Sequence, residues 1–488
     1  MNPGCMTRLS AFVLLIVALF VTVTRAQEQV ELLGPAFESR SAGISLRPFA
    51  NAKEIQNAAV PDQVVQFVSD ERRWDLKVSR IRLTEPVPLV AYKDAEGRTK
   101  PGLVEQTVQQ IKRTLPGAEV LREDTTNIGQ GEVGLVIVRY AAGSAVRLAQ
   151  HALIQANDQL YYVLEFTTPG KPKTDLTDED PREAEAVQAM AQMLDSVKLL
   201  DLGAIRQDQV DRLIRTRALL VNWHPKRLRE SLVPEMWLRL VRNGKDIGYT
   251  YVIEEVDEPR GTASGGVRIG VRSRTIPDDG FQVDTESWLQ VSYDRRHEDW
   301  SNVAVVKSLK DGRVDHSSEV GTSRRHSRPV ADELDKRQMS MLESYILEVK
   351  SIGKSATAVP VKRELPPMYL PQALGHLLPR ILPLREAKTY MFYSYVNEQG
   401  ELMARYVDVG PEQSVTLDGS TVRAIPIGDR IKYDGSVTTH WMSPDGKYLG
   451  SENRDAKIQI LPTDRATLEK LWKDADFSRP AAVNKSAE

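Results

Sequence analysis

Cysteine is almost absent from this chain. The single one, Cys5 among 488 residues, precedes an apolar run at the N-terminus. Without a second thiol there is no disulfide framework, no iron–sulfur cluster and no paired redox site, so stability has to come from ordinary cores. Histidine is scarce too. The seven histidines (His151, His224, His297, His316, His326, His376 and His440) show no H-E-x-x-H or other close pairing at ligand spacing, so the sequence indicates no metal site. A G-x-S-x-G elbow is missing, which removes the commonest serine-hydrolase signature. An excess of positive charge is missing as well: 65 basic residues face 67 acidic ones, and nothing resembles a nucleic-acid footprint.

What is present begins with export. Arg8 precedes the run LSAFVLLIVALFVTV, and Thr24, Arg25 and Ala26 form a small-x-small cleavage site. Residues 1–26 read as a secretory signal peptide, leaving Gln27 first in a cysteine-free mature chain that is periplasmic or secreted. The alternative is an uncleaved N-terminal helix that anchors the chain, since the run approaches spanning length.

The remainder divides by pattern. From 30 to 201, strands and helices mix. WDLKVSRIRL alternates Trp74, Leu76 and Val78 against charged neighbours, as a half-buried strand does. After Pro101 a helix is expected, with Val104, Val108, Ile111 and Leu115 on one stripe, closed by Pro116 and Gly117. EVLRED, VGLVIVRY, ALIQAND and QLYYVLEFTT follow as strands of an antiparallel sheet. Asp180, Pro181 and Glu183 form a helix start, and Ala184, Val187, Ala191 and Leu194 are the expected apolar face.

Residues 202–235 read as a helical connector whose apolar face carries Val210, Leu213, Ile214, Leu220 and Val221, with Arg212 and Arg215 turned elsewhere. From 236 to 477 strand signals dominate. They open with Asn243-Gly244, the pair that best tolerates positive φ at both centres of a hairpin turn. GGVRIGVRSR sets Val267, Ile269 and Val271 against Arg268 and Arg272, so one face of that strand is wet. A terminal helix is expected at ATLEKLWKDA, and residues 478–488 read as a disordered tail. The fold class is therefore α+β, with an N-terminal antiparallel sheet flanked by helices and a C-terminal antiparallel meander, half-barrel-like, with one helical insertion.

Two resemblances attach to these patterns. The order of elements in the first domain, with AFESRSAGISLRPF, QLYYVLEFTT and AMAQMLDSVKLL, resembles the PsbP-like family, which implies an α-β-α sandwich serving as a protein-interaction module. The meander with its helix is similar to the LolA-like half-barrels of exported bacterial proteins. HWMSPDGKYLG resembles the closing hairpin of domains of uncharacterised function built this way. Neither resemblance carries a catalytic or binding residue onto this chain.

Apparent motifs mostly dissolve on inspection. Gly129, Gly131 and Gly134 spell G-x-G-x-x-G, but a strand and not a helix should follow, so a turn between strands is expected. Gly353, Lys354 and Ser355 lack the upstream glycine of a P-loop and have Glu348 in its place. Asp175, Asp178, Glu179 and Asp180 lack the glycine and terminal glutamate of a calcium loop. Arg324, Arg325, His326 and Arg328 read as a solvated charged loop, the alternative being a dock for an acidic partner or anionic lipid headgroups.

The insertion PPMYLPQALGHLLPRILPL, between Pro366 and Pro383, is the sharpest functional pointer. Leu370, Ala373, Leu374, Leu377, Leu378, Ile381 and Leu382 keep three-four spacing through four turns, leaving a strip of Gln372, Gly375, His376 and Arg380. Pro379 is expected to kink or split this helix. One reading is a plug in the concave face of the sheet. The other is a movable lid, with Leu370, Leu374, Leu377, Leu378 and Ile381 over a cavity for an acyl chain or an apolar peptide. The sequence thus points to a non-enzymatic, exported envelope protein that binds a lipid-like ligand or a protein partner, with no cofactor, no catalytic residues and no nucleic acid. Membrane contact stays open. The alternatives are an envelope hydrolase assembled from dispersed His, Asp and Glu, or a purely structural component.

Overall fold

The computed structural model describes residues 32–480 apart from 56–61, 116, 130, 172–180, 259–264, 278, 332–338, 354–355, 358–359 and 398; the side chains of 325–343 and 352–359 are not described. Residues 1–31, where a signal peptide is expected, the acidic run at 175–180, Lys354 with Ser355, and residues 481–488 therefore lie outside the described residues. The chain forms two compact units, residues 1–202 and 203–488.

In the first unit a seven-stranded antiparallel sheet runs Lys53–Ile55, β1 (Gln63–Ser69), β2 (Trp74–Arg82), β6 (Leu160–Pro169), β5 (Ala145–Asn157), β4 (Gly131–Ala142) and β3 (Glu119–Ile128). Each central strand splits its apolar residues between two faces. Val133, Leu135, Ala152, Ile154, Tyr162 and Leu164 meet helix α2 (Pro181–Asp195), whereas Val136, Val138, Ala149, Leu153 and Tyr161 meet α1 (Leu103–Thr114). Coverage on both sides explains why VGLVIV reads as an unbroken apolar run. The α1 stripe of Val104, Val108 and Ile111 is buried as its spacing requires. The face of α2 differs from expectation. Ala186, Ala189, Met190, Met193 and Leu194 are buried, while Ala184, Val187 and Ala191 are exposed. Two methionines supply volume that a pattern of alanines and one valine could not. A smaller sheet of Phe37–Ser39, Ile44–Leu46 and Lys198–Leu199 completes the unit. Gly129 and Gly131 flank the turn between β3 and β4, whereas Gly134 stands within β4, so close to Val104 that a Cβ there would come within 2.4 Å of it.

The second unit opens with α3 (Leu202–Val221) and the short α4 (Pro225–Glu230). The buried face of α3 is again not the expected one: Arg212, Thr216 and Leu220 are buried, and Val210, Ile214 and Val221 are exposed. Polar partners decide this. The Arg212 guanidinium donates to Asp208 (2.7 Å) and to Asp408, and Thr216 Oγ1 accepts the Met391 amide hydrogen at 2.9 Å. A buried charge matched this way faces inward at lower cost than its residue type suggests.

Then comes the meander: β7 (Glu235–Arg242), β8 (Lys245–Asp257), β9 (Gly266–Thr275), β10 (Phe281–Ser292), β11 (Glu298–Ser308), β12 (Val314–Ala331), β13 (Met339–Gly353), β14 (Lys388–Val396), β15 (Glu401–Val409), β16 (Ser420–Ile431), β17 (Thr438–Met442), β18 (Tyr448–Asn453) and β19 (Ile458–Thr463). Among the described residues these belong to one sixteen-stranded antiparallel sheet, whose path runs β13 to β7 and then β19 back to β14. Asn243 and Gly244, at φ 50° and 76°, make the β7–β8 turn as their types require. Arg324 and its neighbours lie in β12, not in a loop, paired with β13 as far as Ala331.

The sheet is not closed into a barrel. Its two ends are spanned by the segment leading into helix α5 (Gln372–Ile381). Val361–Glu364 pairs with β13, Leu365 donates its amide to Tyr345, and Leu370 and Met368 bond the backbone of Tyr393 in β14. Helix α5 therefore lies inside the curl of the sheet, and one core joins it to residues of β7–β11, β13–β17 and α3. The terminal helix α6 (Arg465–Leu471) is capped by Asp464, whose side chain accepts the Thr467 amide.

Candidate functional site

Helix α5 is shorter than its spacing suggested. It occupies ten residues, with Leu370 before it and Leu382 after it, because Pro371 caps its start and Pro383 follows its end. Pro379 sits inside the last turn without splitting the helix. The carbonyl that Pro379 cannot serve is that of Gly375, four residues earlier, and Arg405 Nη2 donates to it at 3.2 Å instead. Arg405 reaches that carbonyl because residue 375 has no Cβ; one placed there would lie 2.6 Å from Nη1.

The apolar stripe is fully absorbed. Leu374, Leu377 and Ile381 are 0% exposed and Leu370 and Leu378 are 1% exposed. At about 2 kcal/mol for each such side chain withdrawn from water, this is a principal stabilising contact of the unit. The polar strip is equally engaged. At one end, the Gln372 backbone amide donates to Glu298 Oε1 and the Tyr369 hydroxyl donates to Glu298 Oε2 at 2.8 Å. At the other, Arg380 donates with both Nη atoms to Glu254, Val233 adds a backbone amide at 2.7 Å, and His376 Nε2 lies 3.1 Å from Oε1.

The two anchoring carboxyls differ in ionisation. Burial, helped by the Asp299 charge, pushes Glu298 up to about 7 against the two hydrogen bonds it receives, and among the described residues no cation offsets it. Burial acts on Glu254 as well, but the bonds from His376 and Arg380 and the Arg380 charge outweigh it and hold the group at about 2. The sequence alone singles out neither Glu298 nor Glu254. Glu254 stands between Ile253 and Glu255, and Glu298 between His297 and Asp299, and nothing local separates either from a surface glutamate.

The inner face of β8–β13 consists of cross-strand rows that register aligns. Val267, Val291, Glu298, Ser323 and Leu347 form one row, and Ile269, Leu289, Trp300, Gly321 and Val349 the next. Gly321 gives the Trp300 ring its place; a Cβ there would fall 2.1 Å from the indole. One step further the chemistry changes. Val271, Ser287, Asn302, Glu319 and Ser351 make the third row, and Ser273, Thr285, Ala304 and Ser317 the fourth. The first two rows pack under α5. The last two, apart from Val271 and Ser273, floor a trough of about 700 Å³, walled by Leu370, Gln372, Ser394, Tyr395, Asn397 and Arg405.

Of the five residues expected to form a lid, Leu370 alone lines this trough; Leu374, Leu377, Leu378 and Ile381 do not. The charges at its rim are already matched. Burial opposes the Asp429 carboxylate, but Arg405 (Nε to Oδ1 2.9 Å) and His440 hold its pKa well below the usual range, and Ser351 donates to Glu319 at 2.9 Å. Among the described residues no three His, Cys, Asp or Glu converge as a metal set, and no helix is long and apolar enough to cross a membrane.

Fold and site together describe an α+β chain of two units, the second an open antiparallel sheet curled around one anchored helix, with a trough beside it. No protein-family model matches the chain, and no curated protein matches it. Among solved structures it is similar to cyanobacterial PsbP from Synechocystis sp. PCC 6803, at 12% identity and a TM-score of 0.26, over 36% of this chain and 96% of that one. It is also similar to a beta-barrel-like protein of a domain of unknown function from Brucella abortus, at 13% identity and a TM-score of 0.27, over 48% of this chain and 95% of that one. At these values neither likeness bears on what this chain does.

Proposed function

We propose that this is a non-enzymatic, exported binding protein of the cell envelope, and that its second unit holds a ligand in the trough beside α5. The observation that carries this reading is the change from apolar to small polar side chains between the second and third inner rows. A concave face that served only as core would stay apolar to its end, whereas this one leaves about 700 Å³ open, within the range of ligand sites. Helix α5 is then a fixed wall. A lipid-like ligand beneath it would require the carboxyls of Glu254 and Glu298 to lose their partners and four core side chains to leave their places. The α-β-α arrangement of the first unit is the support for reading it as an interaction module of PsbP-like type.

The test is native mass spectrometry of the full chain recovered from its own envelope, wild type beside Ala304→Trp, which fills the trough from its floor. The wild type is expected to carry a small-molecule mass that the variant lacks. Bare protein in both, or the same adduct in both, overturns the trough as the site. An adduct that survives Ala304→Trp and disappears with Leu374→Asp in folded protein would return the site to the space under α5.

A further inference from the structure

The polar groups of the trough are unevenly used. Both charged side chains at its edge have partners, Arg405 with Asp429 and Glu319 with Ser351. Its neutral groups divide: Thr285, Gln372, Asn397 and Ser351 are hydrogen-bonded, whereas Ser287, Asn302 and Ser317 make no side-chain hydrogen bond to another described residue. Ser394 is more telling. It is 7% exposed, lines the trough, and its hydroxyl is buried with no hydrogen-bond partner. A buried hydroxyl without a partner costs free energy that a ligand can return, and rotation about χ1 among its staggered positions redirects it without moving the backbone.

Anions fit this lining poorly. Among the described residues that line the trough the one cation, Arg405, is neutralised by a carboxylate it contacts directly, and the Glu319 carboxylate on the floor repels negative charge, so phosphate groups and fatty-acid carboxylates are disfavoured. A purely apolar chain would leave a row of hydroxyl and amide groups without water or partner. What suits the surface is a molecule with many neutral donors and acceptors along its edges and C–H faces between them. The apolar margin of Val396 and Ile431 would meet those faces.

Resting on the trough as the binding site, we propose that its ligand is a neutral saccharide of a few sugar units, hydrogen-bonded by Asn302, Ser287 and Ser394. The probes are maltotetraose, cellotetraose and chitotetraose, with oleate and inorganic phosphate as the anionic comparison, titrated calorimetrically into the full chain. At least one tetrasaccharide is expected to bind one to one. That binding is expected to vanish in Ala304→Trp and to weaken roughly fivefold in Ser394→Ala and in Asn302→Ala, the effect of one hydrogen bond. Phosphate and oleate are expected not to bind. Ser317→Trp, at the exposed end of the floor, takes the place of Ala304→Trp if that variant does not fold. Oleate binding that the tryptophan abolishes, with no tetrasaccharide bound, overturns the saccharide and keeps the trough. No binding by any probe, or binding indifferent to both tryptophans, overturns the saccharide and the trough together.

Discussion

The two units solve the same problem, covering a large antiparallel sheet, in opposite ways. In the first, a helix lies on each face, so the inner rows are mostly apolar and closed; Val78, Ala152, Tyr162 and Leu164 are all fully buried, and the buried Gln150 side chain donates to the Ala186 carbonyl of α2. In the second, the sheet curls around a single ten-residue helix, and α5 is too short to cover strands of ten residues or more. Covering a face from outside leaves no space within it. Wrapping a face around a short plug leaves whatever the plug does not reach, and in this chain those positions carry serine, threonine, asparagine, alanine and the glutamate Glu319.

The sharpest break of this comparison places the same bulky residue on both sheets. Ala152→Trp in the first unit meets closed packing beneath α2 and is expected to cost more than about 3 kcal/mol, removing one calorimetric transition. Leu374→Asp is expected to act as severely on the second unit by burying a charge without a partner, and an undisturbed second transition would refute the placement of α5 as core. Next comes Glu254→Ala, which strands the Arg380 guanidinium and should cost roughly 3–5 kcal/mol by chemical denaturation.

A smaller effect depends on pH. The folded carboxyl of Glu298 stands at about 7 against an ordinary 4.5, so its proton is held more tightly in the folded state. Its contribution is complete below pH 4.5 and is lost as pH rises through 7. Stability of the second unit should therefore fall by up to about 3 kcal/mol between pH 5 and 8, and Glu298→Gln should flatten that slope. Glu254 gives the opposite sign in another window, its stabilisation being lost only as pH falls from 4.5 through about 2. A denaturation midpoint that rises from pH 5 to 8 would show the Glu298 reading to be wrong. The smallest effect is that of Ala304→Trp, expected to change stability by less than about 0.5 kcal/mol, in contrast to Ala152→Trp.

Much of this architecture could be read from the chain. Strand alternation at Trp74, Leu76 and Val78, the α1 stripe, the Asn243-Gly244 turn and the apolar insertion depend on neighbours within a few residues, where periodicity is informative. The faces of α2 and α3 were not legible in the same way. On α2, alanine spacing is ambiguous. On α3, Arg212 and Thr216 are buried only because Asp408 and the Met391 amide, both distant in sequence, come to meet them.

Local sequence by itself determined that the second unit is a meander with one apolar helix, since turn residues and period-two alternation act over a single hairpin. Which residues make the trough was decided by tertiary structure alone. Ser287, Asn302, Glu319 and Ser351 come from four strands, and each looks like an ordinary polar position where it stands. Only cross-strand register sets them in one row, and only the short reach of α5 leaves that row uncovered. The ionisation of Glu254 and Glu298 follows the same logic. The two side chains are chemically identical, and they part because the curl of the sheet brings an arginine to one and a tyrosine and a backbone amide to the other.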